Sequence, residues 1–323
     1  MITYILFIVG FLFLIKGADL LVDGSASIAK KLNISAIVIG LTIVAFGTSA
    51  PELVVNIIAS YQGNSEIAIG NILGSNIANI LLILGVSAVI YPLTSKRNTV
   101  NKEIPLGLLA VIVMSFMAND KLIDGSAYSA LTRIDGFVLV AFFIIFMYYT
   151  FSIAGSSEKE GEQNDIKIFT YSKSIVFILL GLVGLMVGGK WIVDGAVKIA
   201  EIFNVSQSLI GLTVVAIGTS LPELATSAVA AYKKQSDIAI GNVVGSNIFN
   251  IFWILGVSAL IRPLPFSTAS NVDILMAVFA SLVLFTVMFV GRKRVIEKWQ
   301  GVFMIFSYFS YLFFFFSFFF LLF

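Results

Sequence analysis

Ten stretches of this chain are each close to the length that crosses a lipid bilayer, and each is apolar along nearly all of that length. They fall at 2–22, 36–59, 66–91, 104–119, 134–153, 174–195, 207–231, 237–261, 272–290 and 300–323. A hydrocarbon core is crossed by about 20 helical residues, and inside it every backbone polar group must be satisfied within the segment. The expected class is an all-α membrane protein. Composition agrees, with 59% hydrophobic residues, 12% charged and a mean hydropathy of +1.03, which excludes a water-soluble globular domain.

The chain has no Cys and no His. That removes disulfides, thiol nucleophiles, His-held metals and histidine proton relays together. The first stretch lacks a basic leading region and its continuation aligns with an internal segment, so it reads as a retained helix and not a cleaved signal peptide. With the N-terminus placed outside, alternate loops on the inner side hold 14 Lys and Arg against 5 on the outer side. That bias predicts both termini outside the cell membrane and an even number of spans.

Shifting the sequence by 171 residues aligns 10–93 with 181–264 without a gap, with 45 identities in 84 positions. Asp23 aligns with Asp194, Asn33 with Asn204, Glu52 with Glu223, Asn79 with Asn250 and Pro92 with Pro263. The second copy starts after five spans, an odd number, so it must cross in the opposite sense. Ten transmembrane helices are therefore expected as two inverted-topology five-helix repeats with broken helices at the midplane. Residues 1–153 form the first repeat, with its conserved-within-chain motif at 39–93; 154–173 form a polar cytoplasmic linker; and 174–323 form the second repeat, with its motif at 210–264.

The aligned phrases GTSAPELVVN (47–56) and GTSLPELATS (218–227) put a proline and a carboxylate in the middle of a span. Pro51 and Pro222 lack an N–H and crowd the preceding turn, which predicts a kink or break at each. An ionisable group at such depth costs about 2.5–3.5 kcal/mol on insertion scales, so Glu52 and Glu223 need a partner. Helical spacing places Ala45, Thr48 and Ser49 beside Glu52, and Ala216, Thr219 and Ser220 beside Glu223. The next spans carry GNILGSNIANI (70–80) and GNVVGSNIFNI (241–251), whose Asn71, Ser75 and Asn79, and Asn242, Ser246 and Asn250, form polar stripes. Gly70 with Gly74 and Gly241 with Gly245 have the small-residue spacing that permits close helix approach. An all-oxygen set with two acids and no basic side chain suits hard cations such as Ca²⁺ and Na⁺. Two ionised glutamates are neutralised by one Ca²⁺ or by two Na⁺, so the ions exclude one another, as an antiporter requires.

These four motif copies resemble the paired alpha repeats of the Na⁺/Ca²⁺ exchanger family, within the Ca²⁺:cation antiporter superfamily. The resemblance covers nearly the whole chain and implies Na⁺ flow coupled to Ca²⁺ transport by alternating access. It implies Glu52 and Glu223 as shared ion-binding acids, with Thr48, Ser49, Ser75, Thr219, Ser220 and Ser246 and the carbonyls of Ala45 and Ala216 as ligands, and Asn79 and Asn250 closing the site. Some relatives have Asp at the position of Asn250, a feature associated with K⁺ dependence; asparagine favours a K⁺-independent exchanger. Proton-coupled relatives tend to place a further acid in the second motif, where both copies here end in Asn, which favours Na⁺ over H⁺.

An H⁺/Ca²⁺ antiporter is the alternative within the same fold. An intramembrane hydrolase using the two acids lacks His, Cys and any GxGD phrase. No cofactor, nucleic acid or obligatory protein partner is expected; the partners are the bilayer and the transported ions, and the location is the inner membrane. The remaining polar residues have plainer readings. Asn71, Asn76, Asn242 and Asn247 each read equally well as interhelical hydrogen-bond glue or as part of the polar site. Ser65 with Glu66 and Ser236 with Asp237 are expected to cap helices, Asp23 and Asp194 to serve structure at the interface, and 301–323 to face lipid.

Overall fold

The computed structural model describes residues 2–154, 167–203 and 216–322. The fold is all-helical. In chain order the helices that build the bundle are α1 (Ile2–Leu32), α2 (Ala36–Thr48), α3 (Ala50–Gln62), α4 (Ser65–Ile90), α5 (Thr99–Met117), α6 (Arg133–Ile153), α7 (Tyr171–Ile202), α8 (Ala216–Thr219), α9 (Leu221–Tyr232), α10 (Ser236–Ile261), α11 (Thr268–Val287) and α12 (Lys298–Leu322), with a single further turn at Asp120–Ile123 in the loop after α5. Two short antiparallel strand pairs tie loops together, Leu93–Thr94 with Val295–Ile296 and Ala130–Leu131 with Leu264–Pro265.

Among the described residues, 7 helices are long and apolar enough to cross a membrane, and 8 if the bent pair α2–α3 counts as one span. The expected spans 207–231 and 300–323 lie partly outside what is described, as do Asn204, most of the linker and the start of the second motif. The chain is a multi-pass membrane protein. Its helices divide by burial. Within α4 and α10, 78% of the most apolar stretch is buried, against 22–39% in the other long helices, so these two form the centre and the rest turn a face to lipid.

The first span runs to Leu32, ten residues past its expected end at 22. Hydropathy marks where lipid ends, and a helix continues beyond it when its polar side chains find partners. Asp19 and Asp23 each lie 2.6 Å from Lys233 Nζ at the end of α9, which gives Asp23 the structural role expected of it. Asp194 pairs with Lys190 along α7 at 2.9 Å. The expected cap at Ser65 sits one residue earlier: Asn64 Oδ1 accepts the Ile67 N–H at 3.4 Å, while Gln235 precedes α10 with no side-chain cap bond. Asp237 instead pairs with Lys96 at 3.3 Å.

α1 and α7 cross through glycine. A methyl group on Gly17 would lie 2.8 Å from Gly181 O, and one on Gly181 would lie 2.8 Å from Gly17 O. Gly10 and Gly188 face each other in the same way, at 2.9 and 2.7 Å. Gly10 aligns with Gly181 and Gly17 with Gly188 in the repeat, so each glycine packs on the copy of the other. This is the self-complementary pattern of an isologous interface.

The second motif's small pair also packs closely, with Gly241 against Ile37 O and Gly40 Cα and Gly245 against Leu41 and Ala45. Among the described residues nothing comes within 4 Å of a methyl built on Gly70 or Gly74, and positions 208, 211 and 212, which match Ile37, Gly40 and Leu41 in the repeat, lie outside the described residues.

Candidate cation-binding site

The proline break positions the acids. α2 ends at Thr48, Ser49 leaves the helical region with φ −81° and ψ 8°, and α3 starts at Ala50 with Pro51 in its first turn, where a missing N–H costs nothing. The two segments meet at 48°. Glu52 therefore lies in the first turn of α3 and Glu223 in the first turn of α9, where the helix dipole favours a negative charge. Ser220, with φ −85° and ψ 3°, makes the matching corner before Pro222. The corners differ in one bond. Ser49 N–H donates to Ala45 O at 3.0 Å, whereas Ser220 N–H donates to Ile217 O at 3.2 Å.

Both glutamates are buried, each 1% exposed. Their contacts cross between the repeats. Ser49, beside Glu52 in sequence, donates to Glu223 Oε1 at 2.8 Å; Ser220, beside Glu223, donates to Glu52 Oε1 at 3.3 Å. Ser75 Oγ also donates to Glu52 Oε1 at 3.3 Å and lies 3.2 Å from Ser220 Oγ. Each carboxylate keeps one oxygen, Oε2, buried with no hydrogen-bond donor. Ser246 Oγ lies near the Glu223 carboxyl without a well-formed hydrogen bond of its own. In an apolar setting an unpaired carboxylate oxygen is costly, and the chemistry that satisfies two of them among hydroxyls is a cation.

The remaining expected residues divide into ring and frame. Thr48 Oγ1 reaches Asn242 Oδ1 at 3.0 Å and Ala45 O at 3.3 Å, so the Ala45 carbonyl already serves Thr48 and Ser49 N–H. Thr219 Oγ1 reaches Asn71 Oδ1 at 3.4 Å, and Ala216 opens α8. Asn76 and Asn247 join α4 to α10, each Nδ2 donating to the other's backbone carbonyl at 3.2 Å. Onto this pair the amides of Asn79 and Asn250 dock, Asn79 Nδ2 on Asn247 Oδ1 and Asn250 Nδ2 on Asn76 Oδ1, both at 2.9 Å. The Oδ1 atoms of Asn79 and Asn250 stay buried and unpaired. Asn76 and Asn247 are thus the glue between the central helices, while Asn242 is wired to the site through Thr48. Sequence reasoning passed over Asn56 and Ser227, one helical turn beyond the glutamates. Their offset of four from Glu52 and Glu223 was the available signal.

Two central helices, paired proline breaks and two buried acids that share hydroxyls between the repeats suit a membrane transporter for cations. The family model described as sodium/calcium exchanger protein matches residues 2–152 and 173–317, and the chain belongs to that family. It is 36% identical to the putative antiporter CaxA of Alkalimonas amylolytica, over 95% of this chain and 97% of that protein. It is 32% identical to the sodium/calcium exchanger MaX1 of Methanosarcina acetivorans, over 95% and 96%. The solved structure of the sodium-calcium exchanger NCX_Mj soaked with 2.5 mM Na⁺ and 0.1 mM Ca²⁺ superposes with a TM-score of 0.82 at 36% identity, covering 97% of this chain and 98% of that one. The chain is accordingly a cation antiporter of the calcium-exchanging kind.

Proposed function

We propose that this protein exchanges Na⁺ for Ca²⁺ by alternating access, independently of K⁺, at a site formed by Glu52 and Glu223. Thr48, Ser49, Ser75, Thr219, Ser220 and Ser246, the carbonyls of Ala45 and Ala216, and the amide oxygens of Asn79 and Asn250 complete the ligand set. The names of MaX1 and NCX_Mj support Na⁺ and Ca²⁺ as the exchanged pair. The crossed bonds of Ser49 to Glu223 and Ser220 to Glu52 are the observation that carries the reading. Neither repeat owns a complete site, so any relative movement of the halves remakes it.

The reading includes ten spans in two inverted repeats, 1–153 and 174–323, joined by a cytoplasmic linker at 154–173. Both termini lie outside the inner membrane. One Ca²⁺ or two Na⁺ match the two carboxylates, and a hydroxyl that donates to a carboxylate oxygen rotates to offer its lone pairs when a cation enters. If more than two Na⁺ move per Ca²⁺, each net charge is worth about 2.3 kcal/mol per 100 mV of membrane potential.

The test is ⁴⁵Ca²⁺ uptake by purified protein in K⁺-free liposomes. An outward Na⁺ gradient is expected to drive uptake, and an outward H⁺ gradient is not. Uptake under the H⁺ gradient alone would transfer the assignment to a proton-coupled exchanger, and uptake that appears only with K⁺ would remove the K⁺-independent claim.

A further inference from the structure

The two repeats differ one turn beyond their glutamates. In the second, Asn242 Nδ2 donates to Ser227 Oγ at 2.9 Å and more loosely to Glu223 O at 3.4 Å. The position matching Ser227 is Asn56, whose own Nδ2 donates to Glu52 O at 3.0 Å. That bond takes over the carbonyl which Asn242 serves in the other half. Two consequences are visible: Asn71 Nδ2, the counterpart of Asn242 Nδ2, has no partner, and Asn56 Oδ1 has none either. One turn further, Ser60 replaces the alanine found at 231, and its Oγ is also unpaired. Asn56 and Ser60 are both 0% exposed.

Glu52, Asn56 and Ser60 stand at i, i+4 and i+8 on one buried face of α3. Their unpaired oxygens, Glu52 Oε2, Asn56 Oδ1 and Ser60 Oγ, climb the helix in steps of roughly 6 Å. In the second repeat the series stops sooner: Thr226 Oγ1, three residues beyond Glu223, is buried and unpaired, but Ser227 is bonded and the next turn, Ala230 and Ala231, is apolar. Three fully buried oxygens without donors stand on one helix face beginning at the paired glutamates, where interhelical glue would have spent them.

We propose that Asn56 and Ser60 form a transit subsite for a monovalent cation, Na⁺, between the paired glutamates and the membrane face where α3 ends at Gln62. The subsite rests on the antiport reading and adds residues to it. Its oxygens are neutral, so it holds a single charge loosely enough to release it inward to Glu52, which is what conduction through successive sites requires. A divalent ion gains too little there to shed its water. Asn71 Nδ2 donates to a water that the ion retains.

Two measurements test this. The first is Na⁺-driven ⁴⁵Ca²⁺ exchange at graded Na⁺ in liposomes where the two faces are distinguished, for wild type, Ser60→Ala, Asn56→Ser and the double variant. Asn56→Ser copies the arrangement already present at Ser227, so the fold has a precedent for it. The expected result is a several-fold rise in half-saturating Na⁺ from the α3-end face alone, with calorimetric Ca²⁺ affinity changed less than twofold. Unchanged Na⁺ half-saturation in the double variant, or an equal shift from both faces, overturns the subsite. Wild-type protein that shows no Na⁺-driven exchange sinks the antiport reading itself. The second uses the absence of cysteine: Ser60→Cys is the sole thiol. A cationic methanethiosulfonate is expected to label it from the α3-end face, more slowly in Na⁺; equal labelling with and without Na⁺, or none, overturns the proposal.

Discussion

Placing a methyl group on Gly17 forces α1 and α7 apart, because the obstacles are backbone atoms that no rotamer change can move. Its Cβ would sit 2.8 Å from both Gly181 O and Leu185 N, inside any real carbon contact. Overpacking of this kind costs about 1–3 kcal/mol, and the roughly 1 kcal/mol that alanine gains over glycine within a helix offsets part of it. Gly181→Ala should behave alike, since its Cβ meets Leu21 N at 2.7 Å and Gly17 O at 2.8 Å. The sharper expectation concerns the pair. Both clashes are relieved by one and the same separation of the helices, so the double variant should cost less than the two singles added, by more than the ~0.5 kcal/mol scatter of independent sites. Gly107→Ala is the control, its Cβ meeting only Ile248 Cγ1 at 3.9 Å, and it should be neutral or stabilising. Reversible unfolding in mixed micelles, followed by the fluorescence of the 3 tryptophans, measures all four variants. Strict additivity of Gly17→Ala and Gly181→Ala, or a control as damaged as either, would refute the reciprocal-contact argument.

Further expectations concern the site and its surroundings. Glu52→Gln and Glu223→Gln should each abolish Ca²⁺ uptake while the protein still folds, as judged by size-exclusion profile; uptake retained in either variant would remove that residue from the site. Ser49→Ala and Ser220→Ala should weaken Ca²⁺ exchange to similar degrees despite sitting in different repeats, since each removes a donor from the other repeat's glutamate. A loss confined to one of them would break the symmetry claim. Asn76→Ala removes two buried bonds, the one its Nδ2 donates to Asn247 O and the one its Oδ1 accepts from Asn250 Nδ2, with an expected loss of about 1–3 kcal/mol in the same unfolding assay. Lys233→Gln releases Asp19 and Asp23 at a part-exposed site, where the cost should be about 1 kcal/mol or less and should shrink with added salt.

The repeated phrases made the centre of the molecule legible in one dimension. Identity at a fixed offset marked Glu52 and Glu223, and the proline beside each marked the corner that the chain turns at Ser49 and Ser220. What the sequence could not carry was which copy a side chain serves. Ser49 is three residues from Glu52 yet bonds Glu223, because the corner points its hydroxyl across the two-fold, and local spacing has no access to that direction. The extent of α1 was hidden for a different reason: its continuation past residue 22 is held by partners remote in sequence, Asp23 by Lys233 and Ser27 by Ser174. The cap at Asn64 was missed because two adjacent residues were both competent to cap, and only backbone angles choose between them. The departure of Asn56 from Ser227 carries meaning only in three dimensions, where its bond to Glu52 O occupies the carbonyl that Asn242 reaches in the other repeat.

Asn76 and Asn247 occupy the same position in the two copies, and each satisfies the other's carbonyl. An arrangement in which a residue bonds its own duplicate is available to two identical chains as readily as to one fused chain. The first copy would find in a second copy of itself the asparagine partner that the other supplies, and at the crossing of α1 and α7 the glycine partners as well. Fusion therefore adds little to these contacts beyond holding the halves at high local concentration. What it adds is the freedom for one half to change alone, as at Asn56 and Ser60, so that the two copies need not carry the same side chains around equivalent glutamates.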